Sequence, residues 1–267
     1  MARALLDWES RHSVTPRFGW WAALGNGAMT LIAFAVAVAT PPLSGPFCRS
    51  KCYEYPYLDV AARYPRDYYW MFPAIVATLL FVAFAVALGA RAKPGRRLLA
   101  QFGVALAQMA ALTIVGDYFL QLAVVQPSLL AHQADGISLL TQYNPHGVFV
   151  ALEELGYLLL SASLACLGAS LAGQSPLERA VRRLFVGGWL ACMLVSAWIM
   201  ARYGHDRAYL LEIAVISIAW SSTVAGAFMM AVVFRRSAAR LELHRISLSS
   251  PRRTRGRALS GEARYGG

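Results

Sequence analysis

The chain has 267 residues, of which 58% are apolar and 15% charged, and its mean hydropathy is +0.47. An average soluble domain carries roughly 25% charged residues, so this composition excludes a disordered chain, a fibrous protein and a disulfide-dense miniprotein, and argues against an ordinary soluble enzyme. The net charge of +11 would by itself suit a nucleic-acid binder, so the placement of the charges has to decide.

Six long apolar runs follow in chain order: Gly19 to Thr40, Tyr69 to Ala90, Leu98 to Val124, Gly147 to Ala172, Leu184 to Tyr203 and Tyr209 to Phe234. A helix rises about 1.5 Å per residue, so roughly 20 residues cross a hydrocarbon core of ~30 Å. A lone strand leaves its backbone unpaired in lipid, so each run is expected to be a helix. The predicted class is all-α, a polytopic six-transmembrane-helix bundle with both termini in the cytoplasm. Its divisions are a cytoplasmic N-terminal segment over 1–18, a membrane domain over 19–235, and a basic cytoplasmic tail over 236–267 that is expected to be disordered.

The orientation follows from Arg and Lys. With the N-terminus inside, cytoplasmic segments hold 19 basic residues and the outer side holds six. The cytoplasmic segments then carry a net charge of +14 and the remainder −3. The positive total is therefore a topology signal, and nucleic acid is not an expected partner. Ala37-Val38-Ala39 resembles a signal-peptidase site, but the apolar run before it is longer than a typical signal core. Trp20 and Trp21 at the cytoplasmic boundary also favour a retained helix.

Between the spans, the outer loop over 41–68 is rich in Tyr. Its Cys48 and Cys52 are expected to form a disulfide in an oxidising compartment, whereas Cys166 and Cys192 read as buried apolar residues. The outer loop over 125–146 has no Lys or Arg. Pro127 is expected to end the third span, and Gly136 to Tyr143 to form a short interfacial helix. Arg235, Arg236 and Arg240 follow the last span and suit anionic lipid headgroups, at ~1 kcal/mol per residue.

Ionisable groups at membrane depth are costly, which makes them the best functional signal here. Asp117 falls seven residues below the outer end of its span, roughly 10 Å, and Glu153 six residues into the next, roughly 9 Å. Gln121 shares a helix face with Asp117, while His146, Glu153 and Tyr157 share a stripe on the fourth span. Glu154 points about 100° away from Glu153. Glu212 adds a carboxylate near the outer interface, and Arg202 and Arg207 at the same level are candidate partners for it. The expected ligand-binding set is Asp117, Gln121, Asn144, His146, Glu153, Glu154 and Tyr157, with Gln126 nearby. A carboxyl at this depth suits proton coupling or general-acid work. The plainer alternative is a hydrogen-bond network that holds helices together.

Other chemistries fit poorly. Intramembrane glutamate proteases carry Arg three residues after their Glu-Glu pair, and here Glu153-Glu154 is followed by Leu155-Gly156-Tyr157. All five His lie at span ends or outside the spans, so haem is not expected. No nucleophile elbow, HExxH motif or P-loop occurs. No metal or cofactor is expected.

Two stretches carry a resemblance. One runs from Tyr55-Pro56-Tyr57-Leu58-Asp59 to Arg63-Tyr64-Pro65-Arg66-Asp67-Tyr68-Tyr69-Trp70-Met71. The other runs from Asp117-Tyr118-Phe119-Leu120-Gln121 through Gln126-Pro127-Ser128-Leu129-Leu130 to Gln142-Tyr143-Asn144-Pro145-His146-Gly147 and Glu153-Glu154-Leu155-Gly156-Tyr157. Together they resemble a group of functionally uncharacterised small multi-pass membrane proteins of prokaryotes, over about the middle half of the chain. The resemblance implies the architecture and brings no activity. Arg outnumbers Lys 23 to 2, which points to a GC-rich bacterial genome and hence to the cytoplasmic (inner) membrane. The leading expectation is a small-molecule binding or transport module with an outward-facing acidic pocket. The alternatives are an intramembrane enzyme acting on a lipid or isoprenoid-like substrate, and a non-catalytic assembly or sensory subunit.

Overall fold

The computed structural model describes residues 2–40 and 42–249. The protein is an all-α polytopic membrane protein, with six helices long and apolar enough to cross a bilayer. In chain order the helices are α1 (Ala2–Ala39), α2 (Met71–Gly89), α3 (Arg97–Leu120), α4 (Gln126–Leu130), α5 (Ile137–Leu140), α6 (Val148–Ser170), α7 (Pro176–Tyr203) and α8 (Leu210–Ser249). The spans are α1, α2, α3 continued through α4, α6, α7 and α8. They form a closed ring in the order α1, α2, α3, α6, α7, α8, and α6 also touches α2 and α8 across it. Accordingly α6 buries 61% of its most apolar stretch and α7 only 17%, which puts α6 at the centre and α7 at the lipid-facing edge.

Helices in lipid gain nothing from hydrophobic burial against each other, so close approach and hydrogen bonds hold them together. The α3–α6 contact shows both. A Cβ on Gly103 would lie 2.9 Å from Leu167 Cγ and 3.2 Å from the Leu167 backbone N. That approach lets the Ser163 hydroxyl donate to the Gly103 carbonyl at 2.7 Å. Nearer the other end of the same contact, Ile114 packs directly on Gly156.

Four expected boundaries differ. The third span does not stop at Pro127. A π turn over Gln121–Val125 intervenes, Gln126 N donates to Gln121 O, and the helix resumes with Pro127 in its first turn. The widened turn makes room for the ring and removes the need for the missing N–H. Next, α7 begins at Pro176 rather than Leu184, because Ser175 caps it by accepting from Glu178 N at 3.1 Å. Arg179, Arg182 and Arg183 therefore stand on the helix rather than in a loop. Finally, the interfacial helix is limited to α5, because Thr141 turns to an extended conformation. In the tail, α8 continues as helix to Ser249, and 250–267 lie outside the described residues.

One end of the bundle carries the segments 42–70, 131–147 and 204–209 and is termed the loop end. There Leu43, Val60, Val125, Leu129, Ile137 and Tyr143 form a small second core that folds the two long loops onto the helix ends. Cys48 and Cys52 are joined by a disulfide. Arg63 bonds the Tyr53 hydroxyl at 2.8 Å and lies over its ring. At the opposite end, Arg91 donates to Glu178 and, at 3.3 Å, to Ser237, tying α2 to α7 and α8.

Candidate functional site

A cavity of about 350 Å³ lies near the loop end. Its walls come from the last turns of α1 (Phe34 to Thr40), the segment Pro42 to Phe47, and Asp67 and Trp70 before α2. Gln142 and Tyr143, Phe149 and Glu153 of α6, and Tyr209 with the first turns of α8 as far as Trp220 complete them. These elements meet because α1 packs along α8 and α6 also touches α8. No Lys, Arg or His is among the lining residues, whereas Asp67, Glu153 and Glu212 are.

The three acids differ. Asp67 is satisfied: it accepts from Arg66 Nε at 2.6 Å and from the Tyr143 hydroxyl at 2.9 Å. Glu153 is almost wholly buried and accepts from the Tyr118 hydroxyl, which stands 2.8 Å from the Tyr157 hydroxyl. Two aromatic contacts fix this pair, Trp70 edge-on to Tyr118 at 5.1 Å and Tyr157 edge-on to Trp220 at 5.7 Å. Glu212 faces Glu153 within hydrogen-bonding reach, and its Oε2 is buried with no donor. The two carboxyls thus meet at the cavity wall with no base lining it. Burying a charge without a partner costs several kcal/mol, so the arrangement is unfavourable until a proton or cation joins it.

The mouth of the cavity is tied down by hydroxyls. Tyr209 donates to the Gln142 carbonyl at 3.2 Å and stands 2.7 Å from the Ser44 hydroxyl. Burial pushes its phenol up, and the Ser44 contact pulls it partly back. Burial, reinforced by Tyr68 and Asp67, likewise pushes the Tyr143 phenol up. Gln142 Nε2 and the Tyr68 hydroxyl are both buried without a partner in hydrogen-bond geometry.

Of the seven expected ligand-binding residues, Glu153 alone lines the cavity. Asp117 is buried behind it, close enough to interact electrostatically, with Oδ2 unpartnered. Tyr157 acts through Tyr118. Glu154 points away and pairs with Arg207 at 2.9 Å, so Arg207 serves Glu154 and not Glu212. Gln121 spends both ends of its amide on the loop, donating to Leu140 O at 2.6 Å and accepting from Gln142 N at 3.1 Å. Gln126 pins the other long loop through Ala61 O at 3.1 Å. Asn144 holds its own turn, donating to Ser138 O and accepting from His146 N, and the His146 side chain is exposed. A polar residue close to the bilayer surface can bond to nearby backbone, as Gln121, Gln126 and Asn144 do without reaching the cavity, while His146 turns to the surface.

Residues that sequence reasoning did not place in the site are Asp67, Trp70, Tyr118, Gln142, Tyr209 and Trp220. Tyr118 alone carried a signal, since it adjoins Asp117 in the sequence. Comparison with protein families, curated proteins and solved structures gives no match for the chain.

Proposed function

We propose that the protein is a small-molecule binding or transport module of the bacterial cytoplasmic membrane. Both termini face the cytoplasm and the cavity lies toward the outer side. The observation that carries this reading is the meeting of Glu153 and Glu212 at the wall of a 350 Å³ cavity without a compensating base. Such an arrangement costs stability, and a site for a polar group recovers that cost on binding. The volume falls in the range of small-molecule sites, and the lining is mostly apolar and aromatic with a few convergent polar groups. The distribution of Arg and Lys supports the orientation. Arg235, Arg236 and Arg240 are exposed on α8 past its apolar run, where anionic headgroups would hold them.

The test is an unbiased lipid and metabolite analysis of the purified wild type and of the Glu153→Gln/Glu212→Gln double variant, with far-UV circular dichroism to confirm equal helix content. A molecule retained by the wild type and lost from the variant supports the reading. Identical complements in two equally folded proteins overturn it.

A further inference from the structure

We infer that the cavity takes a lipophilic organic cation, an amine or quaternary ammonium on an apolar body, which reaches it from the membrane between α1 and α8. The assignment rests on the binding-site reading above and names the class of molecule.

Three observations converge on it. The first is charge. Glu153 and Glu212 face one another at the cavity wall, no basic side chain lines the cavity, and Glu212 Oε2 is buried without a donor. A cation between two carboxyls removes their repulsion, while an anion adds to it. The second is the aromatic surface beside them. Phe34, Trp70, Phe149 and Trp220 all line the cavity, and Phe34 meets Trp220 edge-on at 5.4 Å. Aromatic faces attract ammonium groups, most strongly where water is excluded. The third is the route. Val38 of α1 is 74% exposed and Ile213 of α8 is 47% exposed, yet both also line the cavity. Both stand on membrane-spanning segments, so the cavity wall they form has a lipid-facing side. A molecule that partitions into the bilayer therefore meets the cavity by its apolar side, and its charged head ends at the acid pair. The cavity is too small for a two-chain phospholipid and large enough for a small head with part of one chain.

The experiment uses the full-length protein in lipid nanodiscs and four probes: octyltrimethylammonium, octanol, octanesulfonate and tetramethylammonium. Binding is read from the saturable rise in thermal unfolding temperature. Octyltrimethylammonium is expected to bind roughly ten-fold more tightly than octanol or tetramethylammonium, and octanesulfonate not to saturate. Glu153→Gln and Glu212→Gln, tested singly, should each weaken the long-chain cation by roughly ten-fold and leave octanol unchanged. Equal binding of the three octyl probes, or an undiminished cation affinity in both variants, overturns the cation assignment and leaves the binding site in place. Tetramethylammonium binding as tightly as the octyl cation overturns the lipid-side route. If no probe saturates and the co-purified molecules also match those of the double variant, both readings fall together.

Discussion

Glu153 of α6 and Glu212 of α8 bring their carboxyl groups together at the wall of one cavity, although the residues lie on helices separated in sequence by the whole of α7. Tyr118 holds one member from behind, and the other ends in a buried oxygen without a donor. The protein therefore places a carboxyl pair that needs a proton or a cation at the wall of a cavity where a ligand can supply the charge.

That imbalance predicts the effect of Glu212→Gln on the ligand-free protein. The amide keeps the shape, is neutral without taking up a proton or a cation, and can donate to Glu153. Stability should rise by about 1–2 kcal/mol. Thermal unfolding in nanodiscs without added ligand measures it. A fall of the same size would mean that Glu212 already has a partner and that the pair is structural.

The neighbouring carboxylate should behave in the opposite way. Glu154 is 9% exposed and its partner Arg207 is 31% exposed. Removing the guanidinium leaves a nearly buried charge alone, and the partial exposure of Arg207 moderates the loss. Arg207→Ala should cost about 1–2 kcal/mol, and adding Glu154→Gln should restore most of it. Octyltrimethylammonium affinity should not change in either protein. Additive losses in this double-mutant cycle would remove the pair from the account.

Much of this was legible in the sequence, and the limits have physical causes. The apolar runs mark all six spans, because length and hydropathy are what a bilayer selects. The matched depth of Asp117 and Glu153 also follows from counting residues, and the two do lie close together. What counting cannot give is the direction of each side chain once loops pack on top. Gln121 and Asn144 bond to backbone carbonyls and amides instead of the cavity, and the His146 side chain is exposed. Glu154 differs from Glu153 by one position, and that 100° rotation takes it to Arg207. Asp67 and Trp70 were missed because the cavity wall they complete comes from segments far apart in the chain. Pro127 misled because a π turn lets a helix pass a proline.

The loop end should fail at alkaline pH. Tyr143 donates to Asp67 at 2.9 Å, and burial together with Tyr68 and Asp67 holds its phenol above the ordinary value. The folded state therefore keeps a proton that the unfolded chain releases near pH 10. Stability from this group is complete below that pH and declines as pH rises beyond it. Tyr143→Phe should cost about 1 kcal/mol at neutral pH and make the alkaline decline shallower. Unfolding measured from pH 7 to 11 checks both effects, and an unchanged alkaline slope would place the sensitive group elsewhere.

The central claim is that a carboxyl pair stands in a cavity open to the membrane. Peptide mass spectrometry after treatment with dicyclohexylcarbodiimide, a lipid-soluble carboxyl reagent, tests it most directly. Glu178 provides the control, since it is as buried as Glu153 but ion-paired with Arg91 and bonded to Gln174 N. The account predicts modification at Glu153 or Glu212, protection by octyltrimethylammonium, and none at Glu178. Folded protein left unmodified at both cavity carboxyls, or modified equally at Glu178, would contradict it.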